Sequence, residues 1–303
     1  MNALPAPGSV GAWVLAARPA TLPVAVAPVA VGSSIASASG SFNAAAGLAA
    51  LGGALLIQIG TNLANDVFDA KKGADDERRI GPPRAVSQGL LSARAVWIGM
   101  IVSFILAMLT GIYLIAVGGM PILAIGILSI ASGIAYTGGP YPLGYNGLGD
   151  VFVFVFFGGV AVVGTTFVTA GVIAPAAWIA SVPVGALATC VLVVNNVRDH
   201  EGDVRAKKRT LVVRFGRRFG VMEYLVLVVA SAAAIIALPA LGWTPPLALV
   251  ALLPLPFGFK LWTTLRDHTD GPTLNRCLAS TAKLMLAVSV LLALGIGAGQ
   301  ALR

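Results

Sequence analysis

The sequence carries little charge. Asp, Glu, Lys and Arg make up 11% of its 303 residues, whereas soluble domains typically contain roughly 25% of these residues. Hydrophobic residues account for 57% of the chain, and its mean hydropathy is +0.90. This composition excludes an ordinary soluble domain and predicts an integral membrane protein.

Cysteine and histidine are also scarce. The two cysteines, Cys190 and Cys277, each stand alone without a CxxC partner, and the two histidines, His200 and His268, are isolated from each other. The spacing gives no sign of a disulfide framework or of a thiolate or imidazole metal site. We therefore expect the cysteines to be small buried residues and the histidines to be solvated loop residues.

Long apolar runs fill most of the chain. A run of about 17 to 25 apolar residues is long enough to cross a bilayer as a helix. Nine such runs lie at approximately 20–38, 45–65, 95–117, 119–137, 149–170, 175–197, 220–240, 244–264 and 281–301. No basic segment precedes the first run, so we expect it to be retained as a helix rather than cleaved as a signal peptide. The sequence predicts an all-α polytopic membrane protein in which residues 1–303 form one domain of nine transmembrane helices.

Charged residues are concentrated on one side of this predicted bundle. If the amino terminus is cytoplasmic, all Lys and Arg residues except Arg303 fall on the cytoplasmic side, as the positive-inside rule requires. The loops on that side are 66–94, 138–148, 198–219 and 265–280. Basic charge then sets topology, and we expect no nucleic-acid partner. All 12 Asp and Glu residues lie on the same side, although the rule makes no demand on acids, which indicates that this face uses carboxylates.

A first carboxylate cluster begins at the end of the second run. Asn62, Asn65, Asp66 and Asp69 have spacings of three, four and seven, which place them on one stripe of a helix. Asp75 follows in the adjoining loop. Ionisable groups on one face at a membrane helix end predict a functional site, because each would cost several kcal/mol if it pointed into lipid.

A second cluster repeats this pattern at the end of the sixth run. Asn195, Asn196, Asp199 and Asp203 again have spacings of three, four and seven or eight. Two similar helix ends predict facing walls of one cavity, as occurs at the repeat interfaces of some membrane proteins.

These clusters have the composition of a site for a metal and a diphosphate. Carboxylate oxygens without His or Cys at ligand spacing select Mg²⁺, Ca²⁺ or Mn²⁺. Basic residues surround both clusters: Lys71, Lys72, Arg78, Arg79, Arg84, Arg198, Arg205, Lys207, Lys208, Arg209 and Arg214. Two alternatives stay open at this point. Mixed charges can simply solvate loops, and intramembrane carboxylates also serve ion-coupled transporters, although carrier sites usually lie near the bilayer midplane.

The motifs resemble a known family. Asn65-Asp66-x-x-Asp69 with Asp75, and Asp199-x-x-x-Asp203, are similar to the two aspartate-rich motifs of the UbiA-type intramembrane prenyltransferases. The stretches 17–32, 81–91, 136–158 and 195–217 are similar to the branch that prenylates 1,4-dihydroxy-2-naphthoate in menaquinone synthesis.

This resemblance implies a helical bundle around a central cavity that opens sideways to lipid. It also implies transfer of a polyprenyl chain from polyprenyl diphosphate to dihydroxynaphthoate with decarboxylation, giving demethylmenaquinone. Another aromatic acceptor, such as 4-hydroxybenzoate or homogentisate, is the alternative within the family. The expected location is the prokaryotic plasma (inner) membrane, with the active site on the cytoplasmic side.

Departure of diphosphate requires positive charge where its negative charge develops. We expect two Mg²⁺ ions to supply it, held by Asp66, Asp69, Asp75, Asp199 and Asp203.

The other predicted site residues bind or shield the substrates. Arg84, Lys208 and Arg209 are candidate diphosphate contacts. Tyr136 is expected to face the allylic cation with its ring, and Asp150 either orients an acceptor hydroxyl or caps the fifth helix. The remaining candidates are Tyr141 and Tyr145 in the adjoining loop and the four amides of Asn62, Asn65, Asn195 and Asn196, which we expect to orient the metal-bound carboxylates.

Overall fold

The computed structural model describes residues 4–73 and 80–301, and every regular element in these residues is helical. Asp75, Arg78 and Arg79 lie outside the described residues. The α-helices are α1 (Val10–Ala17), α2 (Pro23–Ala38), α3 (Ala44–Lys71), α4 (Ala93–Gly118), α5 (Met120–Ala135), α6 (Gly149–Val153), α7 (Gly164–Ala170), α8 (Pro175–Arg198), α9 (His200–Arg205), α10 (Leu211–Phe215), α11 (Arg217–Ala240), α12 (Leu255–Asp267) and α13 (Gly271–Ala301). A π-helical segment, Phe154–Val163, joins α6 to α7.

The predicted membrane helices are present, but fewer than nine of those in the described residues are long enough to cross a bilayer. Seven helices in the described residues are long and apolar enough to cross a bilayer, and the bent pair Val10–Thr21 and Pro23–Ala38 makes an eighth. The predicted fourth span corresponds to α5, whose 16 residues extend about 24 Å, less than a hydrocarbon core of about 30 Å. The count of nine is therefore not confirmed.

Helix α8 lies at the centre of the bundle. In its apolar stretch 78% of the residues are buried, compared with 22% in α3 and α4. The π-helical segment packs directly against it, because a Cβ on Gly185 would lie 2.6 Å from the carbonyl oxygen of Phe154 and one on Gly158 would lie 2.8 Å from that of Ser181. Only glycine permits this approach, and it joins the fifth and sixth predicted spans along their length.

The outer helices present apolar side chains to their surroundings. Ile101, Ile105 and Leu109 of α4 are each close to half exposed or more. Such a face would be costly in water and is the expected surface of a helix in lipid. At its start, α4 is capped by Ser92, whose hydroxyl oxygen accepts a hydrogen bond from the amide of Ala95 at 3.2 Å.

A cavity of about 700 Å³ lies between α2, α3, α4, α5 and the segment from α6 to α7. Its lining is predominantly apolar, with Gln58, Thr61 and Tyr136 among its few polar members. Met108 and Ile112, which also line it, are 54% and 63% exposed, so the cavity reaches the outer surface of the bundle. This agrees with the expected cavity that opens towards lipid.

Candidate functional site

The loop 80–91, between α3 and α4, folds back over the first carboxylate cluster. The amides of Ala85 and Val86 donate hydrogen bonds to the two carboxylate oxygens of Asp66, at 3.0 and 3.2 Å. Asp66 is 1% exposed. The loop makes this contact because it closes into a tight turn, in which Gly89 adopts a φ of +66° and Leu90 bonds back to the carbonyl of Ala85.

Asp69, one helical turn further along α3, collects partners from three parts of the chain. Nη2 of Arg84 pairs with its Oδ2 at 2.9 Å, and the hydroxyl of Tyr145 donates to its Oδ1 at 2.8 Å. Nζ of Lys208 lies 3.6 Å from the same Oδ1. Asp69 is 1% exposed, and its charge is therefore held in a dry site by charged and hydroxyl donors.

Lys208 connects the two clusters. Its Nζ also lies 3.9 Å from Oδ1 of Asp203, so one ammonium group stands between a carboxylate of each cluster. Nζ of Lys72 and Nζ of Lys208 both lie over the ring of Tyr145, 4.2 and 4.7 Å from the ring centroid. The expected meeting of the two helix ends is thus present, and Lys208 and Tyr145 are at its centre.

Lys72 was predicted only as one of the basic residues around the first cluster, but it contacts this group directly. Its Nζ donates to the carbonyl of Thr137 at 2.6 Å. Partial burial lowers the pKa of Lys72 below its usual value, Asp69 opposes this effect, and the neighbouring ammonium of Lys208 adds to it. Two ammonium groups and one guanidinium therefore surround the Asp69 carboxylate.

The second cluster is organised differently. Asp199 is the C-cap residue of α8, and both of its oxygens pair with the preceding residue, Arg198, whose Nε and Nη2 lie at 2.8 and 2.6 Å. Nη2 of Arg198 also donates to Oδ1 of Asn195 at 2.8 Å. The spacing of the sequence predicted a set of carboxylates like the first one, whereas Asp199 pairs with its neighbour in the sequence and not with distant parts of the chain.

The asparagines mainly fix neighbouring segments. Nδ2 of Asn62 donates to the carbonyl of Ala17 and to Oγ1 of Thr21, each at 2.9 Å. Oδ1 of Asn65 accepts from the hydroxyl of Thr137 at 2.8 Å. Asn196 is buried, with 5% exposure. These contacts hold the helix ends together and so position the adjacent carboxylates.

The remaining predicted residues lie in three different environments. Tyr136 lines the apolar cavity and packs so closely on the start of α6 that a Cβ on Gly149 would lie 2.9 Å from its hydroxyl oxygen. Asp150 is 5% exposed in the first turn of α6, where Leu148 is the N-cap residue, so Asp150 does not cap that helix. Tyr141 is 60% exposed. Arg209 is also exposed, and its backbone amide donates to the carbonyl of Tyr145 at 2.8 Å.

The donor set at the junction consists of oxygen ligands. Within residues 4–73 and 80–301, no three His, Cys, Asp or Glu side chains converge on a metal position. Asp69 and Asp203 nevertheless share a cation, the ammonium of Lys208. Hard carboxylate oxygens around a shared positive charge fit a divalent cation of the Mg²⁺ type better than a thiophilic metal.

The predicted cysteine environment is confirmed, and that of one histidine is not. Cys190 and Cys277 are free and buried. His268 is exposed, but His200 begins α9 and is half-buried. A short helix after Asp199 was not predicted, because a six-residue segment has no apolar periodicity to reveal it.

Comparisons with known proteins agree with this architecture. The model of the UbiA prenyltransferase family matches residues 25–287. The 1,4-dihydroxy-2-naphthoate octaprenyltransferase of Escherichia coli (strain K12) is 35% identical over 295 residues, covering 95% of this chain and 96% of that protein. The protein of the same name from Mycobacterium tuberculosis is 37% identical over 292 residues, covering 95% and 97%.

A solved structure shares the fold. The structure of a UbiA homolog from Archaeoglobus fulgidus bound to DMAPP and Mg²⁺ superimposes with a TM-score of 0.62 and 16% identity, covering 92% of this chain and 98% of that one. The expected fold class and the family resemblance are thereby confirmed. The chain belongs to the UbiA prenyltransferase family.

Proposed function

We propose that this protein transfers a polyprenyl group from polyprenyl diphosphate to 1,4-dihydroxy-2-naphthoate, with loss of the acceptor's carboxylate, in menaquinone synthesis. The observation that carries the proposal is that the apolar cavity ends beside the charged site: Tyr136 lines the cavity, and the carbonyl of the next residue, Thr137, accepts a hydrogen bond from Nζ of Lys72 at 2.6 Å. A charged site and an apolar cavity thus meet at residues 136 and 137, as a substrate with a diphosphate head and an isoprenoid tail requires. The naphthoate acceptor is supported by the names of the relatives at 35% and 37% identity.

In this proposal the cations around Asp69 bind the diphosphate. Arg84, Lys72 and Lys208 approach Asp69 from the loop after α3, from the end of α3 and from the segment after α9. Breaking the allylic carbon–oxygen bond leaves negative charge on the departing diphosphate, and fixed cations stabilise that charge without reorganising. Asp69 holds Arg84 and Lys208 in position, and the ring of Tyr145 contacts both lysines.

We further propose that the reaction depends on Mg²⁺, with two ions at the junction. Asp69 and Asp203 are the first proposed ligands, because both carboxylates already lie close to one cation, the ammonium of Lys208. The next carboxylates along the chain are Asp66, on α3, and Asp199, the C-cap residue of α8. Bound Mg²⁺ would supply charge neutralisation for the leaving diphosphate. The UbiA homolog of A. fulgidus was solved with DMAPP and Mg²⁺.

Tyr136 and Asp150 are proposed to act on the allylic cation and on the acceptor, and not on the diphosphate. Tyr136 presents a ring at the end of the cavity, where its face stabilises an allylic cation and its bulk excludes water. Asp150 is buried near Tyr136 and is proposed to orient an acceptor hydroxyl. Aliphatic side chains along the cavity bind the polyprenyl tail by burying its apolar surface.

The position in the membrane follows from charge. The helices make this an integral membrane protein, and the carboxylates lie at the ends of α3 and α8, where basic residues are concentrated. The positive-inside rule then supports a site on the cytoplasmic side of a prokaryotic plasma membrane.

The central experiment is product analysis by mass spectrometry. Purified protein in detergent is incubated with farnesyl diphosphate, Mg²⁺ and either dihydroxynaphthoate or 4-hydroxybenzoate, with EDTA as the control. We expect a decarboxylated prenyl naphthoquinol that disappears with EDTA. Product from the benzoate alone would contradict the proposed acceptor, and product that persists with EDTA would contradict the metal requirement.

A cavity variant tests the site of the tail. Gly126 of α5 lines the cavity, and a Cβ placed on it meets no atom within 4 Å. The Cβ of Gly126→Leu therefore has free space, and we expect the rest of the side chain to extend into the cavity. We expect KM to rise about tenfold for a long polyprenyl diphosphate, because the tail loses apolar contacts, and to change little for dimethylallyl diphosphate. Equal effects on both substrates would contradict a tail-binding cavity.

A further inference from the structure

The last helix takes part in the charged site through Asn275. This residue lies near the start of α13, in a stretch that the sequence placed in the cytoplasmic loop 265–280 and gave no role in the site. Its Oδ1 accepts a hydrogen bond from Nη1 of Arg198 at 2.9 Å, and its Nδ2 donates to the carbonyl of Ile80 at 3.0 Å. One side-chain amide therefore contacts both the second cluster and the loop that covers the first.

On one side, Asn275 completes the surroundings of a buried arginine. Arg198 has a side-chain exposure of 1%, and its other donors go to Asp199 and Asn195. A guanidinium is planar, so the bond from Nη1 to Asn275 fixes the plane in which the other nitrogens meet Asp199. The orientation of Asp199 is therefore coupled to α13.

On the other side, Asn275 anchors the start of the loop 80–91. The same loop carries Arg84, which pairs with Asp69, and the amides of Ala85 and Val86, which bond to Asp66. A second contact supports the anchor: a side chain at Gly271 would collide with Ile80, so the first turn of α13 packs directly on this residue.

We infer that Asn275 is a positioning residue that holds the loop 80–91 and Arg198 in register, and so keeps the two carboxylate clusters at their working separation. It touches neither cluster's carboxylates itself. The kinetic part of this inference rests on the proposed function, whereas its structural part concerns the loop alone.

The structural part is tested by hydrogen exchange measured by mass spectrometry on the full chain in detergent. In Asn275→Ala the anchor at Ile80 is lost, and we expect the loop 80–91 to exchange about fivefold faster, the factor for one hydrogen bond. The matched control is Arg276→Ala, the exposed neighbour whose Nη2 bonds to Thr273. Unchanged exchange in Asn275→Ala, or the same acceleration in Arg276→Ala, would overturn the inference.

A second variant separates the two bonds. Asn275→Asp keeps an oxygen to accept from Arg198 but removes the donor to Ile80, so we expect the loop to exchange as fast as in Asn275→Ala. Wild-type exchange in Asn275→Asp would show that the bond to Ile80 does not hold the loop.

The kinetic part is tested by comparing the change in KM for the diphosphate substrate with the change in KM for the aromatic acceptor. In Asn275→Ala we expect KM for farnesyl diphosphate and the half-saturating Mg²⁺ concentration to rise about tenfold, as for loss of groups that orient ligands. KM for the aromatic acceptor should stay within about twofold, because the clusters bind the other substrate. A uniform fall in activity with both KM values unchanged would overturn the positioning role. Absence of product from the wild type would overturn the proposed function and leave the exchange result valid.

Discussion

The two carboxylate clusters have similar spacing in the sequence but different settings in the fold. Asp66 and Asp69 are each 1% exposed, and their partners are distant in the sequence, in the loop 80–91, at Tyr145 and at Lys208. Asp199 has a side-chain exposure of 15% and pairs with the residue next to it, Arg198. The first cluster is assembled by tertiary structure, and the pairing of Asp199 is local.

This difference separates two ways of holding charge. Backbone amides hold Asp66, and a hydroxyl, a guanidinium and an ammonium from distant parts of the chain hold Asp69. Asp199 of the second cluster is held by the guanidinium of the preceding residue, Arg198, whose orientation depends on Asn195 and Asn275. The first cluster is therefore preorganised by tertiary contacts, while the position of the Asp199 carboxylate depends on the orientation of one neighbouring side chain.

The largest effect is expected at Asp69, where both clusters meet. Asp69→Asn keeps the size of the side chain but removes the charge that holds Arg84 and Lys208. We expect kcat/KM to fall about 10³-fold, the range for loss of a preorganised electrostatic group. Asp267→Asn, at an exposed ion pair with Arg266, is the control and should leave the rate unchanged. If Asp69→Asn kept more than a tenth of the wild-type kcat/KM, Asp69 would not be central to the site.

A smaller effect, on the free energy of unfolding, should distinguish the backbone amides that hold Asp66 from the side chains that hold Asp199. Asp66→Asn turns an amide NH₂ towards the N–H of Ala85 or Val86, leaving a buried donor without an acceptor. We expect the free energy of unfolding to fall by about 2 kcal/mol. Asn195→Ala in the second cluster should cost about 1 kcal/mol, because Nη2 of Arg198 keeps Asp199.

Thermal unfolding in detergent checks this pair of variants, with wild-type protein in the same micelles as the reference. If Asn195→Ala proved the more destabilising of the two, the second cluster would be the more rigid one, and the comparison would have to be reversed.

The sequence predicted the elements better than their contacts. The run at 175–197 became α8, Pro175–Arg198, because a long apolar stretch determines a membrane helix without help from the rest of the chain. The stripe from Asn62 to Asp69 likewise follows from helix periodicity. The bonds of Tyr145 to Asp69 and of Asn275 to Ile80 join residues 76 and 195 positions apart. Contacts of this range depend on how helices pack, and no local pattern encodes them.

Tyr145 contacts Asp69 of the first cluster and Lys208, which reaches Asp203 of the second, and its variants give the smallest and most specific test. Its hydroxyl donates to Asp69, and Nζ of Lys72 and of Lys208 lie over its ring. Tyr145→Phe removes the hydroxyl alone, so we expect kcat/KM for the diphosphate to fall about fivefold, as for one hydrogen bond. Tyr145→Leu also removes the aromatic ring that both lysines contact, and the loss should reach about 20-fold.

Tyr113→Phe, on the outer part of α4 where the side chain is 40% exposed, is the matched control for loss of a hydroxyl and should leave kcat/KM unchanged. Steady-state kinetics at saturating acceptor measures all three variants. Equal losses in Tyr145→Phe and Tyr145→Leu would mean that the ring adds nothing and that Tyr145 serves the first cluster alone. A larger loss in Tyr145→Leu would mean that the aromatic ring holds Lys208, and through it the second cluster, against the first.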